Sequence, residues 1–510
     1  MKKKFLGRVL TMLLVASMVF TLLPAPAIAA GNWWWNNDEA ESLADTTDSI
    51  LPHRIIHLDC GRKYFSVDNV KSLIDVMAAY GYNELELAFG NAGLRFLLND
   101  MSISFTTENG TTSYSNDDIC TAVVEGNKKQ NNSNDDSYWT ETDMTEILGY
   151  ASSKNIEIVP LLNMPGHMNA LLDGEQFHQY RISGTGYDEN KNKVQKTSCT
   201  SIDPGEADAA AFGHAILQKY VDWFKAYNDL NPDGKVKYFN FGADEVGNDI
   251  VNPFYANDLN PNRYNSCVEY INGCASIIEA AGMLPRAFND FLYFYSGNVQ
   301  IDKNIEVCYW NNQWSGSPYA SANAISSRGH KMINTNSEWY YVLGVKNNNL
   351  TYALESVEKY NYNDFFVQGQ AKNIQTIADT AGVMLCIWCD NPNAESSETA
   401  IKEATQLFVK FAEKNSAVFP AKGEIPPTPQ PEPTEPTTKE INIAVGKGTP
   451  KRSTETIRAP MRVLTLTLPP SREKSFPAPQ RRRRAVIWLS CIIATSIVPK
   501  ALSRTERTTT

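Results

Sequence analysis

The chain has 510 residues, a formal net charge of −10, six His and nine Cys. Residues 439–510 hold fifteen Lys or Arg against four Glu, so the remainder carries −21, a balance that argues against nucleic-acid binding through the main body. The hydrophobic share of 42% is ample for a large core; nine scattered cysteines do not make a disulfide scaffold, and six His without an HExxH pattern give no reason to expect a metal or another cofactor.

Lys2, Lys3 and Lys4 form a basic start, Val9 to Leu23 an apolar run, and Ala27-Ile28-Ala29 a small-x-small cleavage site. Residues 1–29 therefore read as a secretory signal peptide, and the mature protein as secreted or held at the cell surface. The apolar run is short for a bilayer, so no stable membrane span is expected. Residues 30–50 form a polar lead-in, apart from Trp33-Trp34-Trp35.

From residue 51 to 420, short apolar strands alternate with longer helical patterns. The strands read as Arg54–Cys60, Asn83–Phe89, Ile156–Asn163, the strand that opens the stretch Tyr238–Asp249, Arg286–Asp290, Ile305–Trp310, Lys331–Asn336 and Gly382–Asp390. Helices read as Val67–Tyr80, Glu141–Ser153, Ala207–Tyr227, Cys267–Ala281, Tyr319–Ser327 and Ala400–Lys414, and the stretch after the second strand as a long polar insertion. Strict β–α alternation implies a parallel sheet, and eight units imply an α/β fold closed as a (β/α)8 TIM barrel. An open doubly wound sheet is the alternative, but no glycine-rich nucleotide fingerprint follows the first strand.

The fourth strand opens the stretch YFNFGADEVGND, Tyr238 to Asp249, where an apolar run delivers Asp244 and Glu245 to a turn of small residues. Two adjacent acids at a barrel strand's end, in unlike environments, suit acid–base chemistry. Polar and aromatic residues gather at the other strand ends: Asn163 and His167, Asn289 and Asp290, Trp310, Trp339 and Tyr340, Trp388 and Asp390. Cys386 and Cys389 have redox-motif spacing, but three residues apart in a strand they face opposite ways. Residues 421–438 form a Pro/Thr-rich linker. Beyond it INIAVGKG resembles the first strand of a discoidin-like carbohydrate-binding module, and residues 439–510 read as a truncated or frameshifted, disordered remnant of one.

Five motifs in order give residues 54–416 a resemblance to glycoside hydrolase family 20, the retaining β-N-acetylhexosaminidases and lacto-N-biosidases. They are the segment Arg54 to Arg62 (RIIHLDCGR), Pro165-Gly166-His167, Gly242-Ala243-Asp244-Glu245, Trp339-Tyr340 and Trp388-Cys389-Asp390. The resemblance implies substrate-assisted catalysis, in which the substrate's own 2-acetamido oxygen attacks the anomeric carbon to give an oxazolinium ion. It implies that Glu245 shuttles the proton, Asp244 orients the acetamido N–H, and Tyr340 holds the acetamido oxygen, with Tyr341 as the alternative. Trp310 and Trp388 would wall the N-acetyl pocket with Trp339 nearby, Arg54 and Asp390 would bind ring hydroxyls, and His167 would support the acid. The partner implied is a glycan ending in β-linked N-acetylhexosamine. Four features depart from the family's pattern: Asn240 and Asn163 stand where it has His and Asp, Glu86 to Asn91 stands where its second strand ends in paired Asp, and Phe288-Asn289-Asp290 replaces a strand-five Trp. His167 is thereby left with Asn91 as one potential partner. The readings that follow are release of a monosaccharide, release of a disaccharide as a lacto-N-biosidase, and a non-catalytic carbohydrate-binding barrel.

Overall fold

The computed structural model describes residues 50–419, except 131–134, 188–191, 248–260, 294–298, 311–319, 346–348 and 366–373. The signal peptide, the lead-in to residue 49, the linker and the C-terminal remnant lie outside the described residues.

Eight parallel strands close on themselves: β1 (His53–Leu58), β2 (Glu84–Asn91), β3 (Glu157–Met164), β4 (Tyr238–Gly242), β5 (Leu284–Phe288), β6 (Glu306–Tyr309), β7 (Met332–Asn334) and β8 (Gly382–Trp388). Each neighbours the next, and β1 pairs with both β2 and β8, which leaves no free edge. The result is the expected (β/α)8 barrel. Because both faces of each strand are covered, the strands read as nearly continuous apolar runs.

Side-chain alternation separates two layers. Ile55, Ala88, Leu161, Ile333, Met384 and Cys386 fill the barrel interior, whereas Ile56, Leu58, Leu85, Phe239, Phe241 and Leu385 pack outward. Cys386 faces in and Cys389 out, as a strand requires.

The outer layer is met by α1 (Val67–Ala79), α2 (Asn116–Lys129), α3 (Glu141–Ser153), α4 (Ala207–Leu230), α5 (Pro261–Ala280), α6 (Ala322–Ser326), α7 (Asn349–Lys359) and α8 (Ser397–Lys414). In α1 the Ser66 hydroxyl and Asn69 side chain cap the first turn, and Val70, Leu73, Ile74 and Met77 make one buried stripe. Each such side chain contributes about 1.5–3 kcal/mol when fully buried.

The insertion after β2 is more ordered than its polar composition suggests. It holds a hairpin, Ile103–Thr107 with Gly110–Tyr114, and then α2. Reciprocal capping by Ser115 and Asp118, with Ile119, Ala122 and Val123 buried at helical spacing, explains that helix.

The two ends of the barrel differ. At the N-terminal end Arg286 lies between Glu84 (2.6 Å) and Glu306 (2.9 Å), and His53 bonds Glu84. The Arg286 guanidinium also stacks 3.8 Å from the centroid of the Tyr238 ring. Beside this end, the chain's last described residue, Phe419, packs on Tyr82 and stands 6.0 Å from the Arg54 guanidinium.

Candidate active site

At the other end of the barrel, strand tips place the predicted acids together. β4 stops at Gly242, whose φ of +76° suits glycine, and a Cβ there would stand 2.0 Å from the Asn163 Oδ1. The same close approach lets Asn163, at the tip of β3, donate from Nδ2 to Asp244 Oδ1 at 2.7 Å. Gly166 is constrained likewise, since a Cβ would lie 2.6 Å from the Asp244 carbonyl oxygen. Ala243 and Glu245 follow with φ of +64° and +47°, left-handed values unusual for side-chain-bearing residues. Such strain persists where the surroundings over-determine it. Here Gly247 N–H donates to the Ser201 hydroxyl (2.7 Å) and Glu245 N–H to Asp290 Oδ2 (2.8 Å).

His167 bridges the acids. Its Nε2 lies 3.4 Å from Asp244 Oδ2 and 3.5 Å from Glu245 Oε2, while Nδ1 faces an Arg62 nitrogen at 3.4 Å. Burial alone would lower the His167 pKa, but Asp244, by charge and hydrogen bond, and Glu245 raise it to about 9. Burial pushes Asp244 the other way, yet His167 and Asn163 hold it below the usual carboxylate range. Asp244 is thus a fixed anion, and the Glu245 side chain is the more open of the two, 24% exposed against 9%. Asn91 does not pair with His167. Its Nδ2 donates to Asp59 (3.1 Å) and its Oδ1 accepts from Asn163 (3.2 Å).

Trp388, Tyr340 and Trp310 pack at the upper rim of the interior cluster. The Tyr340 and Trp388 rings meet edge-on at 5.9 Å, and Trp388 lies over His57 at 4.2 Å. Tyr340 donates its hydroxyl proton to the Thr335 carbonyl (2.8 Å); Tyr341 faces outward and donates to Glu395 (2.8 Å), which rejects it as the pocket tyrosine. Trp310 is held by both residues at the end of β5: its backbone N–H donates to Asn289 Oδ1 (2.8 Å) and its indole N–H to Asp290 Oδ1 (2.9 Å). Burial and the charge of Asp244 push the Asp290 pKa well above the carboxylate range.

Two expected residues are elsewhere. Arg54 is the second residue of β1, at the barrel's opposite end, where its guanidinium donates to the carbonyls of Leu51 and Gly81. Trp339 is fully buried on the outside and packs edge-on against Phe411 of α8 at 4.9 Å.

The arginine that does reach the site is Arg62, three residues past Asp59, which it contacts at 2.9 Å. It also lies 3.9 Å from Asp390. Burial would weaken the Arg62 guanidinium's hold on its proton, but Asp59, Asp390 and Glu245 reverse that effect. Asp390 is itself raised by burial against the pull of Arg62. Position just beyond a strand's C-terminal end was the signal that distinguishes Arg62 from Arg54. Among the described residues no group of three or more His, Cys, Asp or Glu could hold a metal ion.

Residues 51–402 match a family model described as glycosyl hydrolase family 20, catalytic domain. The chain is similar to a solved structure concerning the tandem catalytic modules of the pneumococcal exo-β-D-N-acetylglucosaminidase StrH. That likeness has 34% identity, covers 73% of this chain and 85% of that one, and gives a TM-score of 0.62. A β-hexosaminidase of Vibrio vulnificus is 23% identical over 331 residues, 60% of this chain and 38% of that protein. A lacto-N-biosidase of Bifidobacterium bifidum is 25% identical over 185 residues, 34% of this chain and 15% of that protein. The chain therefore spans well under half the length of these two curated relatives.

Proposed function

Since the chain belongs to glycosyl hydrolase family 20, we propose that it hydrolyses terminal β-linked N-acetylhexosamine from glycans, with retention, by substrate-assisted catalysis. The observation that carries this reading is an anionic Asp244, fixed by Asn163 and His167, directly beside the more open Glu245. Asp244 accepts the acetamido N–H and balances the positive charge that develops as the acetamido oxygen bonds to the anomeric carbon. Glu245 protonates the departing glycosidic oxygen. The resulting carboxylate then takes a proton from water, which opens the oxazolinium ring from the face the leaving group occupied.

Trp310, Trp388 and Tyr340 wall the acetamido group. For Tyr340 to donate to the acetamido oxygen, its hydroxyl must turn away from the Thr335 carbonyl. Arg62 and Asp390 bind ring hydroxyls at the non-reducing end, a role that a planar cation and a carboxylate suit together. Their juxtaposition favours a pocket for one sugar over the disaccharide pocket of a lacto-N-biosidase. The basic, apolar and Ala-Ile-Ala leader supports action outside the cell.

Glu245→Gln keeps the side chain's shape and removes its acid function. On an aryl β-N-acetylglucosaminide it should lower kcat by about 10²–10⁴-fold, with an unchanged melting temperature. A thiazoline that mimics the oxazoline should inhibit the native protein competitively and strongly. Near-native turnover by the variant would remove Glu245 from the acid role, and indifference to the thiazoline would reject substrate assistance. Cleavage of an aryl lacto-N-bioside in place of the monosaccharide substrate would move the reading to the disaccharide, and binding without turnover on both would make the barrel a carbohydrate-binding protein.

A further inference from the structure

Resting on Glu245 as the proton donor, we propose that Asp290 is a positioning residue that ties the acid to the sugar pocket's Trp310. The two contacts use its two oxygens separately: Oδ2 accepts the Glu245 backbone N–H at 2.8 Å and Oδ1 the Trp310 indole N–H at 2.9 Å. Asp290 is 1% exposed, so neither bond competes with bulk water. Glu245 is held at a φ of +47°, and its backbone N–H is the group that must stay fixed for the side chain to aim into the pocket. Asn289, next in the chain, accepts the Trp310 backbone N–H, so the tip of β5 grips that residue twice.

Substrate that settles against Trp310 therefore settles at a set distance from the acid. A carboxyl group suits this task because each of its oxygens can accept, and the N–H donors of Glu245 and Trp310 favour its ionised form against the burial and the Asp244 charge that raise its pKa. The isosteric amide of Asn keeps one acceptor and turns an N–H2 toward the other donor, which opens one side of the clamp.

A loss of acid positioning is distinguishable from general damage by its dependence on the leaving group. A dinitrophenyl aglycone departs without protonation, whereas a phenyl aglycone needs it. In the full-length protein Asp290→Asn should cost kcat/KM at least about tenfold more on the phenyl than on the dinitrophenyl N-acetylglucosaminide, within the range that general acid catalysis supplies. Glu245→Gln, measured alongside, should show the same separation more strongly. Should Asp290→Asn not fold, as judged by circular dichroism, Asp290→Ser, which is smaller and still accepts one hydrogen bond, carries the same comparison.

Trp310→Phe removes the indole N–H, and on the phenyl substrate its cost combined with Asp290→Asn should be smaller than the sum of the two alone. Equal losses on both aglycones, with Glu245→Gln separating them, would overturn the role of Asp290 and leave the acid assignment standing. Additive costs of the two substitutions would break the link to Trp310. If Glu245→Gln itself does not separate the aglycones, the assignment of the acid falls and this inference falls with it.

Discussion

Arg54 and Arg62 stand eight residues apart and serve opposite ends of one strand. Arg54, at the start of β1, closes backbone carbonyls at the base, and Arg62, past its end, meets Asp59, His167 and Asp390. Arg62→Met should raise KM for an aryl N-acetylglucosaminide by at least about tenfold, the value of one charge-assisted contact to the sugar. Arg54→Met should leave KM and kcat unchanged; steady-state kinetics of the pair check both. A KM unaffected by Arg62→Met would remove it from sugar binding. The expectation that Arg54 binds sugar hydroxyls overlooked the direction of β1, which places its second residue at the base. Asp244, Glu245 and His167 were legible, because each follows the C-terminal end of a strand. The clamp of Asn163 on Asp244 was not, since it depends on how closely the tips of β3 and β4 approach, a distance that Gly242 sets.

At the scale of elements, the segment after β7 shows how alternation decides function. Tyr340–Val342 is an extended piece that pairs with Cys386–Trp388, so Tyr340 faces the pocket and Tyr341 the outside. Trp339, ending the turn before it, packs against α8. The Trp-Tyr pair divides because Trp339 belongs to the turn and Tyr340 to the extended segment, whose alternation then separates Tyr340 from Tyr341. Trp339→Ala should lower unfolding free energy by about 3–5 kcal/mol in denaturant titration and leave KM unchanged. Tyr340→Phe should do the reverse, with kcat falling and stability held. A shared loss of KM in both would place Trp339 in the pocket after all. The strands were readable because apolar runs of a buried parallel sheet have few competitors. The helix α2 was masked by its polar surroundings: only three well-spaced apolar residues and a Ser115–Asp118 cap mark it.

For the molecule as a whole, the barrel divides stability from chemistry along its axis. The N-terminal end carries Arg286 between Glu84 and Glu306, an ionic layer at the opposite end of the barrel from Asp244 and Glu245. Burial favours the protonated form of Glu84, but Arg286 and His53 overcome it and bring its pKa to about 2, from an ordinary 4.5. A carboxyl depressed on folding stabilises above its unfolded pKa and loses that contribution as pH falls through the folded value. Stability of the native protein should therefore decline by on the order of 3 kcal/mol between about pH 4.5 and 2 on account of Glu84. Glu84→Gln should flatten that part of the acid-unfolding curve while the profile of kcat against pH stays as it was. An unaltered curve would mean the layer is already protonated in the native state. Alternating strands and helices were enough to indicate a closed barrel, but this layer was not legible, because its members lie far apart in the chain and meet only on closure.

That closure has a further consequence for how such a protein is built into others. Leu51 accepts from Arg54, and Arg54 in turn stands 6.0 Å from the Phe419 ring centroid, so both ends of the described barrel reach the same arginine at the base. A short bridge between them would permit circular permutation, with new ends opened in a surface loop. The same adjacency makes the barrel a portable cassette, one that can be spliced into a longer polypeptide through a single attachment point while its reactive mouth faces the other way.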